Sequence, residues 1–381
     1  MKIVFFINYL NHHQVAITDE LHNCLREDFI CVCTRPLDSS ELKGGKDYSD
    51  RAYCINSSSN TDNYMRALNY ACTADVCVFG GDSLEFAIQR AKNNNSGLSF
   101  EMSERWLKRG SVNLLSPRLM KNLWYYYKYF RKQQFSKLCA SAYAALDQYV
   151  MHSYRGRCYK WGYFTKVQDF NLEDRVDLRR TLSIKFMWCA RFIKWKHPEL
   201  PVKLAASLKE KGYKFTIDMY GSGAELNRIK NLAVKLGVTD VLTFCGNLPN
   251  DQILNQMRKH DIFLFTSDKN EGWGVVANEA MSCGCVLVGS DATGCVPFLL
   301  KDGENGCVFK SCNIQSLISK VEYLLDNPDE IKRMAINGYY TITNIWSPRN
   351  AVSNLLQLIS DLKSGCDTSI FDGPCSKAIP L

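Results

Sequence analysis

Ser267-Asp268-Lys269-Asn270-Glu271-Gly272-Trp273-Gly274-Val275-Val276-Ala277-Asn278-Glu279-Ala280-Met281-Ser282-Cys283-Gly284 is the most informative stretch of this 381-residue chain. It follows an apolar run, Ile262–Thr266, and passes through a polar turn into residues that favour a helix. That order is the strand–loop–helix unit of an α/β fold. Gly284 suits the left-handed position just past a helix. Gly272 and Gly274 let the backbone approach a ligand closely, and the N–H groups of Trp273 to Val275 open a helix, an arrangement that favours a diphosphate. Glu279, on the helix, is placed to accept hydrogen bonds from vicinal hydroxyls such as those of a ribose. Glu271, ahead of the loop, is placed to bind sugar hydroxyls. The same residues also fit a plain strand–loop–helix unit whose glutamates are solvated or serve the helix dipole.

The pattern repeats outward from this unit. Apolar runs at Ile184–Cys189, Lys214–Tyr220, Val241–Cys245 and Cys285–Gly289 alternate with helical stretches at Pro198–Lys211, Ala224–Leu236, Asn250–His260 and Ile314–Asn327. Such alternation predicts a parallel, doubly wound sheet whose ligands gather at the carboxyl ends of its strands. Three further groups fall at those ends. Arg191, Lys194 and Lys196 precede Pro198, and cations beside a helix start suit two phosphates, although basic loop residues are also often only solvated. Gly221-Ser222-Gly223 turns from a strand into a helix but lacks the third glycine of a dinucleotide fingerprint, so it marks a turn near a ligand rather than NAD. Gly246-Asn247-Leu248 offers backbone groups, at Asn247 and Leu248, to a nucleobase.

The first half reads in the same way, with strands at Lys2–Ile7, Phe29–Cys33 and Val76–Phe79 and helices at Val15–Leu25, Ser58–Ala71 and Ser83–Lys92. The chain then reads as helical and aromatic through Leu119–Ala145. Cys158–Phe164 and the polar residues up to Arg180 read as the passage between two domains. A last helix, Ser347–Leu362, precedes a Gly/Ser/Cys/Pro-rich tail.

Composition agrees with a packed globular protein: 46% hydrophobic, 23% charged, and long enough for two domains. Seventeen cysteines are present, an odd and scattered set with no Cys-x-x-Cys pair. The nearest couples, Cys31/Cys33 and Cys283/Cys285, lie in strand-like contexts, which argues against a zinc site and against a disulfide framework. Buried reduced thiols are expected. The opening residues read as a buried strand rather than a signal peptide, and nowhere do about 18 apolar residues run together. The expected location is the cytoplasm, with a peripheral place on the inner face of the plasma membrane left open.

The net charge is +8, and it is concentrated. Arg105, Lys108, Arg109, Arg118, Lys121, Lys128, Arg131, Lys132 and Lys137 form a block without an acid, interleaved with Trp106, Trp124, Tyr125, Tyr126 and Phe130. A helix presenting Leu119, Leu123, Tyr127 and Phe130 among cations fits an anionic membrane surface. The alternatives are a single-stranded nucleic acid, which is not expected as a partner, and a core-packing helix whose cations face water.

Together these residues resemble the GT-B glycosyltransferases of the large retaining group often called family 4, continuously from about Ile184 to Phe309. Glu271 and Glu279 match its glutamate–seven residues–glutamate motif, and Arg191 and Lys196 its phosphate-binding cations. Ser290-Asp291 through Pro297 and Asp302-Gly303 through Gly306 also follow its pattern. The resemblance implies two facing Rossmann-like domains with parallel sheets and a cleft between them. The domains would be 1–165, joined by the helix at 347–363, and 166–346, with 364–381 as a loose tail. It implies that Glu279 binds the ribose and Glu271 the transferred sugar. Arg191, Lys196 and the backbone of Gly272, Trp273, Gly274 and Val275 would hold the diphosphate, with no metal or cofactor. A hexose-type sugar would pass, with retention, from a nucleotide sugar to a saccharide or lipid-linked saccharide. The N-terminal half departs from the family's glycine-rich first loop; His12 and His13 stand there, able to contact the acceptor or the leaving phosphate or to be plain loop residues. Glu101 is the acceptor-side candidate in place of the family's histidine. An epimerase on the same architecture and a non-catalytic sugar-binding protein are the other readings.

Overall fold

The computed structural model describes residues 1–36, 48–94, 96–108, 110–132, 135–167, 172 and 183–381. Most of the polar passage read up to Arg180, and Arg109 of the basic block, lie outside the described residues. The chain divides into two compact units, residues 1–166 with 346–381, and residues 167–345.

In the first unit seven parallel strands lie in the order β3-β2-β1-β4-β5-β6-β7. They are β1 (Ile3–Ile7), β2 (Phe29–Cys33), β3 (Cys54–Asn56), β4 (Val76–Gly80), β5 (Leu98–Ser103), β6 (Phe135–Cys139) and β7 (Cys158–Lys160). Every side chain of β1 and β4 is buried, as continuous apolar runs in a sheet covered on both faces require. Because β1 pairs with both β2 and β4, the chain order reverses beside it. The loops after β1 and β4 therefore open at a switch point.

Two expectations fail here. Leu119–Ala145 is not one helix: Pro117–Tyr125 is α-helical, Tyr126–Phe130 forms a π turn, and β6 follows. All five β6 residues are buried, Lys137 among them, and it was this lysine among aromatics that made the strand read as a basic helix. Nor is the tail loose. The Cys375 N–H donates to the Lys160 carbonyl (2.7 Å), the Lys160 N–H to Ser376 (2.8 Å) and the Ala378 N–H to Cys158 (3.0 Å). Tyr159 and Lys377 thereby form an antiparallel bridge. These bonds cover the open edge of β7, which would otherwise present unpaired backbone groups. Cys375 is fully buried.

The second unit holds six parallel strands in the order β10-β9-β8-β11-β12-β13. They are β8 (Ile184–Cys189), β9 (Phe215–Tyr220), β10 (Leu242–Gly246), β11 (Ile262–Phe265), β12 (Val286–Ser290) and β13 (Cys307–Phe309). Here β8 pairs with both β9 and β11, so the switch point lies between β8 and β11. Ligands of open parallel sheets bind there, at the carboxyl ends. No helix among the described residues is long and apolar enough to cross a membrane.

Candidate functional site

The loops leaving β8 and β11 are stitched together before any ligand is considered. Trp188 Nε1 donates to Thr266 Oγ1 (2.9 Å), and that hydroxyl donates to the Lys196 carbonyl (2.6 Å). The Asp268 N–H donates to the Trp195 carbonyl (3.0 Å). With the two backbones fixed in this way, Lys196 Nζ forms an ion pair with Glu271 Oε2. Ser267 Oγ donates to the same oxygen (3.2 Å). Lys196 is only 8% exposed, and its ammonium lies 4.5 Å from the Trp195 ring centroid. Arg191 is exposed, with its guanidinium 5.8 Å from the same ring.

Glu279 lies on the helix Val276–Ser282 and is buried. Burial pushes its carboxyl up to about 7, opposed by a hydrogen bond from Asn250 Nδ2 to Oε1 (2.8 Å). Glu279 and Lys196 both act on the Cys189 thiol at the end of β8: burial pushes this thiol up to about 12, Glu279 adding and Lys196 opposing. The structure brings Lys196 and Glu271 together at the ends of β8 and β11 and sets Glu279 on the helix that follows the β11 loop. Gly272 and Trp273 are buried beneath them, and Trp273 Nε1 donates to Asn278 Oδ1 (2.8 Å). Gly274 has φ +92°, and the Val275 carbonyl receives the Glu279 N–H (3.2 Å).

Gly221 packs closely against the neighbouring loop. Its φ is +128°, and a Cβ there would lie 2.0 Å from the Ala190 carbonyl oxygen; at Gly223 a Cβ would lie 2.5 Å from the Phe192 oxygen. The bare turn is needed to seat against the loop that carries Arg191. Asn247, exposed at the end of β10, donates from Nδ2 to Ser222 Oγ (2.8 Å), with Leu248 half-buried beside it. Asn250, Ser267 and Asp268 carry no sequence signal of a part in the site. Each is a common polar residue whose partner comes from another segment or turn, so only the strand order reveals it.

In the first unit His12 and His13 stand in the loop after β1, with ring centroids 3.7 Å apart. Burial lowers the pKa of His12. His13 lies 6.4 Å, edge-on, from Tyr163. Glu101 is held in an ion pair. It sits on β5 opposite Lys137 of β6, with Oε2 2.6 Å from the fully buried Lys137 ammonium, and the Tyr154 hydroxyl also bonds it. Its charge serves a buried lysine. The Cys31, Cys33 and Cys54 sulfurs lie within 4.8 Å of one another, a grouping that the spacing did not show. Bonds from its two neighbours, then burial, hold the Cys31 thiol well above its ordinary range.

The family model described as "Glycosyl transferases group 1" matches residues 172–341. Among curated proteins, the chain is 23% identical over 177 residues to the GDP-mannose-dependent alpha-(1-6)-phosphatidylinositol monomannoside mannosyltransferase of Mycolicibacterium smegmatis, covering 45% of this chain and 46% of that one. It is 30% identical over 115 residues to the D-inositol 3-phosphate glycosyltransferase of Streptomyces bingchenggensis, covering 30% and 25%. The chain thus spans less than half the length of these curated relatives. Its fold resembles the Anabaena protein HepE in complex with UDP, with TM-score 0.70, 14% identity and coverage of 96% and 100%. Sucrose-phosphate synthase from Thermosynechococcus elongatus gives TM-score 0.69, 14% identity and the same coverage. The group 1 match lies within the second unit, and the two parallel-sheet α/β units match structures of the GT-B fold, the fold class that the sequence resemblance implies.

Proposed function

We propose that this chain is a glycosyltransferase that takes a hexose-type sugar from a nucleotide sugar bound in its second unit and passes it to a saccharide or lipid-linked saccharide. The observation that carries the reading is the Lys196–Glu271 ion pair at the β8/β11 switch point, with Glu279 on the helix that follows the β11 loop. The UDP in the HepE structure and the sugar-transferring relatives support it. A diphosphate entering here would draw Lys196 away from Glu271, freeing that carboxylate to hold hydroxyls of the transferred sugar. Glu279 would take the ribose. Lys196 and Arg191 would neutralise the leaving diphosphate without a metal, with the backbone of Trp273 to Val275 assisting. The family resemblance favours retention, by a front-face route in which the leaving phosphate accepts the acceptor's proton and no enzyme side chain need act as a nucleophile.

A thermal-shift panel of UDP-, GDP-, ADP- and dTDP-sugars tests the proposal. A ligand at a hundredfold excess over its Kd should stabilise the fold by about 2.7 kcal/mol, and no shift from any member would contradict it. The pH dependence is specific. Glu279 has a folded-state pKa raised to about 7, so stability without ligand should be lost as pH rises through 7 and the buried carboxyl ionises. Nucleotide affinity should move the other way, because the carboxylate accepts from both ribose hydroxyls. Titration calorimetry should show affinity rising up to about tenfold between pH 6 and 8, the range over which the ionised fraction changes. Glu279→Gln should flatten the curve; an unchanged slope in that variant would remove Glu279 from the ribose site.

A membrane-surface acceptor is also proposed, with a different face from the one that the apolar spacing predicts. Leu119 and Phe130 are buried in the first unit, and Leu123 is half-buried, so that side of the helix packs inward. Exposed instead are Val112, Leu114, Leu115 (81%), Met120, Trp124 (51%) and Tyr127. Around them stand exposed Arg118, Lys121, Lys128, Arg131 and Lys132. Arg105, Lys108 and Lys137 do not belong to the patch, since they pair with Asp147, Glu104 and Glu101. Apolar tips ringed by cations suit an anionic bilayer. Lys121→Glu with Lys128→Glu should weaken co-sedimentation with phosphatidylglycerol vesicles by at least roughly tenfold, at about 1 kcal/mol per charge. Equal binding by wild type and variant would sink the membrane contact.

A further inference from the structure

The residue after Lys196 has a place of its own in this site. His197 takes a left-handed backbone, φ 48° and ψ 54°, which turns the chain out of the Lys194–Lys196 segment and into the helix Glu199–Glu210. Its ring is held at both nitrogens. Nδ1 lies 3.0 Å from Glu199 Oε1, and Nε2 lies 3.1 Å from Asp268 Oδ2.

Asp268 is the node of the loop that carries Glu271. Its Oδ1 accepts the Asn270 N–H and the Asn270 Nδ2, each at 2.8 Å, and its carbonyl accepts the Glu271 N–H at 3.0 Å. One imidazole therefore joins the segment that positions Lys196 to the aspartate that sets the backbone of Glu271. A neutral ring has one donor and one acceptor nitrogen, so it would turn a lone pair toward one of the two carboxylates. Only the doubly protonated ring satisfies both.

We infer that His197 is a positioning residue of the nucleotide-sugar site, an imidazolium clamp that holds the Asp268–Glu271 loop in register with Lys196. The inference rests on the donor-site reading above. The charged and titratable groups facing the ring are Glu199 from the following helix, Asp268 from the β11 loop, and Cys312 after β13, whose sulfur is 3.3 Å from Nε2. Behind Glu199 stands Arg228, 3.4 Å from its Oε2 and also paired with Glu225. The bond to Glu199 raises the His197 pKa, burial opposes, and the bond to Asp268 adds to the rise. The clamp's contribution is thus fully present below the unfolded histidine value, about 6.5, and is lost as pH rises through the higher folded value.

Three proteins test this: wild type, His197→Asn, which tolerates the left-handed backbone, and His197→Arg, a planar cation able to reach two carboxylates. The first readout needs no substrate. The melting temperature of the wild type should exceed that of His197→Asn at pH 6, and the gap should close by pH 9; a gap independent of pH would overturn the clamp. The second is transfer from whichever nucleotide sugar the panel identifies, measured in a Glu279→Gln background to remove that residue's own titration. At pH 6.5 His197→Asn should lower kcat/KM about tenfold, the order of loss expected when a reacting pair is slightly misplaced. His197→Arg should restore most of it and abolish the alkaline decline. Full activity in His197→Asn, or no recovery in His197→Arg, would overturn the clamp. A pH-dependent stability gap without turnover of any nucleotide sugar would leave the clamp standing and overturn the proposed function instead.

Discussion

Lys196→Ala is expected to lower kcat/KM for sugar transfer by roughly 10²–10³-fold, the loss that follows removal of one preorganised group facing a developing negative charge. Charge accumulates on the leaving diphosphate as the sugar carbon departs, and a cation stabilises that state in proportion to how little water screens it. Arg191 is exposed and well screened, whereas Lys196 is 8% exposed, so the lysine should carry the larger share. The substitution also leaves Glu271 without its counter-ion, a further loss because that carboxylate must be held ready for the sugar. The fold should survive. The Lys196 carbonyl accepts from Thr266, and Trp195 from the Asp268 N–H, and neither bond needs the lysine side chain. Steady-state kinetics with a urea midpoint as control will decide. A variant within about threefold of wild type, at unchanged stability, would show that the diphosphate is neutralised elsewhere.

Gly274→Ala should have the next largest effect, a fall in donor affinity of roughly thirtyfold or more with a lower melting temperature. Two costs coincide at this position. A side chain at φ +92° is strained by about 1–3 kcal/mol. The new Cβ would also sit 2.2 Å from the Phe265 ring and 3.2 Å from Glu271 Cγ. Phe265 is buried at the end of β11 and cannot swing clear, and such overpacking typically costs about 1–3 kcal/mol. Relief must come from the loop, which displaces Glu271 directly. Gly237→Ala is the control, because its φ is also positive, at 64°, with nothing within 4 Å of the built Cβ. If the two substitutions weakened calorimetrically measured donor binding equally, close packing around Gly274 would not be what shapes the site.

The parts of the protein that were legible in the sequence are those whose signal is local. β8 and β11 are short apolar runs with polar turns at their carboxyl ends, and the paired glutamates with the glycines between them announce a strand–loop–helix site. β6 was not legible, because Phe135–Cys139 carries Lys137 in its middle, and a buried lysine is acceptable only where Glu101 faces it from the neighbouring strand. The strand role of Cys158–Lys160 and the anchoring of the tail depend on each other across some two hundred residues, with no local pattern in either. His197 reads in the sequence as one more polar residue after two lysines. Its meaning comes from β8 and β11 lying side by side, which brings Asp268 to its ring.

The central claim is that one nucleotide sugar is held by Lys196, Glu271 and Glu279 together. A crystal structure of the protein with the nucleotide chosen by the thermal-shift panel tests it most directly. The diphosphate should be found against Lys196 Nζ, the Lys196–Glu271 ion pair opened, and both ribose hydroxyls within hydrogen-bond distance of the Glu279 carboxylate. A nucleotide bound away from the β8/β11 strand ends, with that ion pair still closed, would contradict the account.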